Sequence, residues 1–134
     1  MKICKRYVTI VITIIAFTSS QAQTNDTLIG KWETSYEEDG EKAYVTYEFK
    51  KVKEELKCYT LSIKNDKGEG GKYNSLAMKN IILNNGKGKA KYVYNEKGKN
   101  YVFDAKLNLK NENTLNISYS YWGYSNTEIW KRIE

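Results

Sequence analysis

Gly30-Lys31-Trp32-Glu33-Thr34 is the stretch on which the reading of this chain turns. Leu28, Gly30, Trp32, Thr34 and Tyr36 alternate with Ile29, Lys31, Glu33 and Ser35, the period-two pattern of a strand with one face buried. The far end of the chain carries a mate to this opening, Trp130-Lys131-Arg132. Between the two, short alternating runs are separated by tight turns. That arrangement points to a small closed barrel.

The runs repeat along the chain with little variation. Asp39-Gly40 is a hairpin signal. Ala43 to Val52 then puts Val45, Tyr47 and Phe49 on one face and Tyr44, Thr46, Glu48 and Lys50 on the other. After the charged turn Lys53-Glu54-Glu55, Leu56 to Lys64 alternates with Tyr59, Leu61 and Ile63 on one side and Cys58, Thr60 and Ser62 opposite. Asn65 to Asn74, with Gly68, Gly70 and Gly71, reads as the longest loop, at a barrel mouth. Leu76 to Leu83 is short and apolar and reads as strand, with one helical turn as the alternative at this length.

Asn84-Asn85-Gly86 turns the chain into a strand over Lys89 to Tyr94. The clearest alternation comes next, with Tyr101, Phe103, Ala105, Leu107 and Leu109 facing one way. Leu115, Ile117, Tyr119 and Tyr121 alternate with Asn116, Ser118, Ser120 and Trp122, and Thr127 to Ile133 forms the last run. Eight short strands with hairpin-sized connections predict an all-β, eight-stranded, antiparallel up-and-down barrel. Closure removes both sheet edges, and the absence of proline suits unbroken ladders. An open sandwich is the alternative architecture.

The first residues stand apart from this pattern. Lys2, Lys5 and Arg6 precede an apolar run over Tyr7 to Phe17, and Ser20-Gln21-Ala22 supplies small residues before Gln23. A charged start, a short apolar middle and a small-x-small end describe a secretory signal peptide. The run is too short to span a bilayer, which takes ~20 residues, so a retained membrane anchor is the lesser alternative. Cys4 lies before the apolar run and cannot be an acylation site. The expectation is a signal over 1–22, removed, and a single barrel domain over 23–134 that is periplasmic or secreted, without stable membrane insertion.

Removing 1–22, which holds three basic and no acidic residues, takes the 134-residue chain of net charge +6 to 112 residues and +3. That length supports one core. The lysines are spread over strands and turns, and Arg132 is the one arginine after the signal, so no nucleic-acid partner is expected. Cys58 is the one thiol left, which rules out an internal disulfide; it is either a packed core residue or half of an intermolecular bridge. The chain has no histidine, the usual general base and commonest metal ligand. No metal, cofactor or catalytic residue is expected. Glu37, Glu38, Asp39 and Glu41 read as a solvated turn cluster, and Glu48 and Asp104 fall on polar faces.

Gly30-x-Trp32 at the start and Trp130-x-Arg132 at the end resemble the lipocalin-like (calycin) barrels, in particular small exported lipocalin-like proteins of bacteria. The resemblance extends loosely over the Lys57-Cys58 strand and the run Leu115 to Gly123. It implies that Trp32 packs across the closed end and that Arg132 lies over its ring, a contact of ~0.5–2 kcal/mol when shielded. Gly30, Trp32, Trp130 and Arg132 would thus be structural closure residues. Where members of that group carry a second cysteine near Cys58, this chain does not, and nothing that depends on a pair carries over.

The compositional oddity is twelve tyrosines, one of them in the signal. Tyr36, Tyr47, Tyr59, Phe103, Tyr119 and Tyr121 are the expected interior lining, which would suit a small apolar or aromatic ligand. The same rings would fill a barrel of this size without any ligand. The competing reading is a periplasmic or extracellular protein-interaction module of inhibitor or immunity type, with a filled core and contacts from Trp122, Tyr124 and the Gly68–Gly71 loop. Catalysis is not expected.

Overall fold

The computed structural model describes residues 25–134, apart from the side chains of Glu38 and Tyr121. The signal expected over 1–22 lies outside the described residues. A 3-10 turn (Asn25–Leu28) leads into β1 (Gly30–Glu38), β2 (Glu41–Val52), β3 (Glu55–Asn65) and β4 (Gly70–Asn84). The chain goes on through β5 (Lys87–Glu96), β6 (Lys99–Asn111), β7 (Thr114–Tyr121) and β8 (Tyr124–Arg132). Each strand pairs antiparallel with the next, and β8 returns to β1, so the sheet is a closed eight-stranded barrel in up-and-down order. An open sandwich is excluded.

Local chemistry explains the meander. The two-residue turns Asp39-Gly40, Asn85-Gly86, Lys97-Gly98 and Trp122-Gly123 hold both residues at positive φ. This is the turn geometry that matches the twist of the flanking strands. Inward residues then alternate along each strand to form one core. Trp32, Phe49, Met78, Leu115, Ile117 and Trp130 are fully enclosed in it.

Two parts of the expected layout are corrected. Asn65–Asn74 is not a long loop, because β4 already begins at Gly70 and runs through the segment where one helical turn was the alternative. Gly70 makes the early start sterically feasible. It pairs with Lys64, and a Cβ there would stand 1.9 Å from the Ile63 carbonyl oxygen.

The second correction concerns the faces of β3. Leu56 and Cys58 point into the core, and Tyr59, paired with Glu48, points out, where the Lys50 ammonium lies 4.9 Å from its ring centroid. A bulge causes this: Tyr47 pairs with Thr60 but Thr46 with Ser62, leaving Leu61 as the extra residue. One inserted residue exchanges the faces of everything beyond it. Cys58 is a buried free thiol whose pKa is pushed up by that burial, in keeping with a packed core residue.

One end of the barrel is plugged. The Asn25 amide donates to the Ile81 carbonyl at 3.1 Å, and its carbonyl accepts from the Leu83 amide at 2.6 Å. Leu28 is thereby seated under the core. The Trp32 indole donates to the Leu28 carbonyl at 2.9 Å. The Arg132 guanidinium lies 4.4 Å from the Trp32 ring and donates to the carbonyls of Thr27, Ile29 and Glu112. Gly30, at φ 137°, passes so close to this corner that a Cβ would meet the Glu134 carbonyl oxygen at 2.5 Å.

Candidate functional site

The β8–β1 junction is paired over Trp32–Arg132 and Glu33–Lys131. Beyond those pairs, side chains bridge the two strands. The Thr34 hydroxyl donates to the Ile129 carbonyl at 3.0 Å. Next along, the Tyr36 hydroxyl donates to Glu128 Oε1 at 2.9 Å.

Glu128 is the hub of a polar network inside the barrel. It is a carboxylate on the inner face of β8 with 6% of its surface exposed. Its Oε1 also accepts from the Tyr92 hydroxyl at 3.1 Å and from the Trp130 indole N–H at 2.9 Å. Its Oε2 accepts from the Tyr119 hydroxyl at 2.6 Å. Four donors from four different strands thus converge on one acid, satisfying an acceptor whose burial would otherwise be costly. Since Tyr36 and Tyr92 spend their protons on Glu128, the single Tyr47 proton is given to one or other of their oxygens, at 3.1 and 3.5 Å. Asn126 donates to the Tyr119 oxygen at 3.0 Å and completes the chain of bonds.

Aromatic packing holds this network in place. Tyr47 stacks on Trp130 with centroids 3.9 Å apart and planes 9° from parallel. Tyr92 stacks on Phe103 at 5.5 Å, and Phe103 and Tyr119 meet at 5.2 Å with their planes tilted by 42°. Tyr36, Phe103 and Tyr119 are only partly buried, so the cluster grades from the sealed core to an accessible aromatic rim.

The phenols are poor acids in this setting. Burial pushes Tyr47 up to about 12, and raises Tyr36, Tyr92 and Tyr119 above the usual phenol value, with the nearby Glu128 charge adding to the shift in each. At neutral pH they are hydrogen-bond donors and not bases.

Of the residues expected to line the interior, Tyr36, Tyr47, Phe103 and Tyr119 come together here. Tyr59 stands on the outer wall, and the Tyr121 side chain lies outside the described residues. Trp130 belongs to this cluster rather than to the plugged end where it was expected with Trp32, Gly30 and Arg132. Glu128 and Tyr92 are the residues that sequence reasoning missed. The signal was present: Glu128 lies two positions before Trp130, on the same strand face, and Tyr92 alternates with Lys91 and Val93.

Elsewhere, a recess of about 1010 Å³ opens on the outer wall over β5 and β6, lined by Ile82 and by Lys87, Lys89, Lys91 and Lys106. It is separate from the tyrosine cluster. Trp122 and Tyr124, 78% and 77% exposed, project from the β7–β8 turn. Among the described residues, no group of three or more acids and cysteines is placed to hold a metal ion. Comparison with protein-family models, with curated proteins and with solved structures gives no match for this chain.

Proposed function

We propose that this chain is an exported, lipocalin-like binding barrel that takes a small apolar or aromatic molecule at the rim formed by Tyr36, Phe103 and Tyr119. The observation that carries the reading is the partial exposure of these three inward-facing rings above a hydrogen-bonded polar floor centred on Glu128. Rings rigidified by packing lose little freedom on contact with a ligand, and a few fixed polar groups set its orientation. The deeper barrel is occupied by Trp130, Tyr47 and Phe49, so the reading places the ligand at the rim and not in a tunnel. The charged start and apolar run within residues 1–22 support export to the periplasm or beyond.

The reading is one of binding without catalysis. Phenols held protonated at neutral pH, and a carboxylate already engaged by four donors, offer no ready base or nucleophile. No cofactor is assigned. Native mass spectrometry of the protein, isolated without denaturation, tests the reading. A reproducible extra mass of a few hundred daltons that leaves on unfolding is the expected result; a bare chain would turn the assignment to the second reading.

That second reading is a protein-interaction module of inhibitor or immunity type. It is favoured by the exposure of Trp122 and Tyr124 on one turn, since tryptophan and tyrosine are preferred interface anchors. Replacing both by serine should then abolish capture of a partner without changing the barrel's circular dichroism.

A further inference from the structure

Glu128 sits in a barrel whose cations are all elsewhere. Among the described residues no lysine or arginine nitrogen lies within 4.0 Å of its carboxylate. The one arginine on the inner face of β8 is Arg132, and its guanidinium is committed to the Trp32 ring and to three backbone carbonyls. Lys50, Lys89, Lys91 and Lys106 stand on the outer wall. A protein with lysine in excess therefore neutralises its enclosed acid with dipoles alone, although a paired cation is the commoner solution for a buried charge.

The four donors do not fill the carboxylate's capacity. Two carboxylate oxygens offer about four lone-pair sites, two on each. Three of the donors crowd onto Oε1, while Oε2 accepts from Tyr119 alone. The oxygen with capacity to spare is thus the one bonded to a partly exposed rim residue. The partly buried rings joined to this network are Tyr119 on Oε2, Phe103 packed against Tyr119, and Tyr36 on Oε1, and aromatic faces attract cations.

Resting on the binding reading above, we infer that the ligand is cationic: an organic ammonium on an apolar or aromatic body, with Glu128 as its counter-charge. The ammonium donates an N–H hydrogen bond to Oε2 beside Tyr119, and the body lies across Phe103 and Tyr36. No covalent step is involved. An anionic ligand is disfavoured at this rim by the carboxylate, and a neutral donor can reach Oε2 but brings no counter-charge to it.

The test uses three probes with one body: naphthylethylamine, naphthylethanol and naphthylacetate, titrated calorimetrically into the protein at neutral pH. The amine should bind about tenfold or more tighter than the alcohol, and the acetate weakest of the three. Glu128→Gln should bring the amine and the alcohol to equal affinity. Circular dichroism verifies that this variant folds; if it does not, the ranking on the unaltered protein decides. Equal binding of amine and alcohol by the unaltered protein overturns the cationic inference and leaves the binding reading standing. Failure of all three probes to bind removes the binding reading itself.

Discussion

The two halves of the β8–β1 junction solve the same problem with different chemistry. At the plugged end, backbone pairing of Trp32 with Arg132 and of Glu33 with Lys131 is reinforced by a cation over a ring and by caps on three carbonyls. Toward the rim, the strands are joined by Thr34 on the Ile129 carbonyl and Tyr36 on Glu128. In the first half the side-chain contacts end on a ring and on backbone carbonyls, groups that have no second use. In the second half the side-chain bonds end on groups that can exchange their partners. On the proposed binding reading, the rim lies where ladder hydrogen bonds give out and side chains take over.

Three measurements probe that contrast. The largest effect belongs to the plugged end. Trp32→Ala should cost about 3–5 kcal/mol in chemical denaturation, as a large core deletion that also releases Arg132. A loss under about 1 kcal/mol would show that this end is not the mechanical anchor.

Glu128→Ala should come next, at about 2–4 kcal/mol, because three hydroxyls and an indole N–H lose their common acceptor. Glu128→Gln keeps an acceptor oxygen and should cost less than Glu128→Ala. If the alanine variant is as stable as the parent, the network is ornamental and the contrast between the two halves fails.

The smallest effect is confined to alkaline pH. Burial holds the protons of Tyr36, Tyr47, Tyr92 and Tyr119 above the ordinary phenol value of 10.0 in the folded chain. A folded state that binds protons more tightly than the unfolded one loses stability as pH rises. The contribution is therefore fully present below about pH 10, and declines above it as the unfolded phenols ionise first. Phenolate absorbance should show these four ionising only above the ordinary phenol value, Tyr47 at about 12. A single transition of all tyrosines near pH 10 would mean that the rim is wet.

Much of this was legible in the sequence, and the parts that were not have identifiable causes. Strand number and order follow from alternation and turn residues, as β2, β6 and β7 illustrate, where the expected inward residues are the buried ones. The face of Tyr59 was not legible, because β3 carries apolar residues on both faces and the bulge at Leu61 leaves no mark in composition. The start of β4 was masked by glycines that read as loop, although Gly70 is there to let a neighbouring carbonyl approach. Glu128 escaped for a different reason. A glutamate near the start of the last run looks solvated until its strand is known to be closed against another, and three of the partners that explain it lie 92, 36 and 9 positions away in the chain. Periodicity carries the fold, while the site depends on contacts across the barrel.

The two-pair ladder between β8 and β1 also bears on how the chain reaches this state. All the other pairings join consecutive strands through short connections, so they close small loops and can form locally. The last one must bring together residues 100 positions apart, Trp32 and Arg132, in return for a short ladder that only Lys31 extends, through its backbone bonds to Ile133 and Glu134. Loop-closure entropy makes such a contact a late event in folding and an early one in opening. The curled sheet is in this sense a ribbon with one clasp. The clasp sits beside Tyr36 and Glu128, so the motion that begins unfolding begins next to the rim.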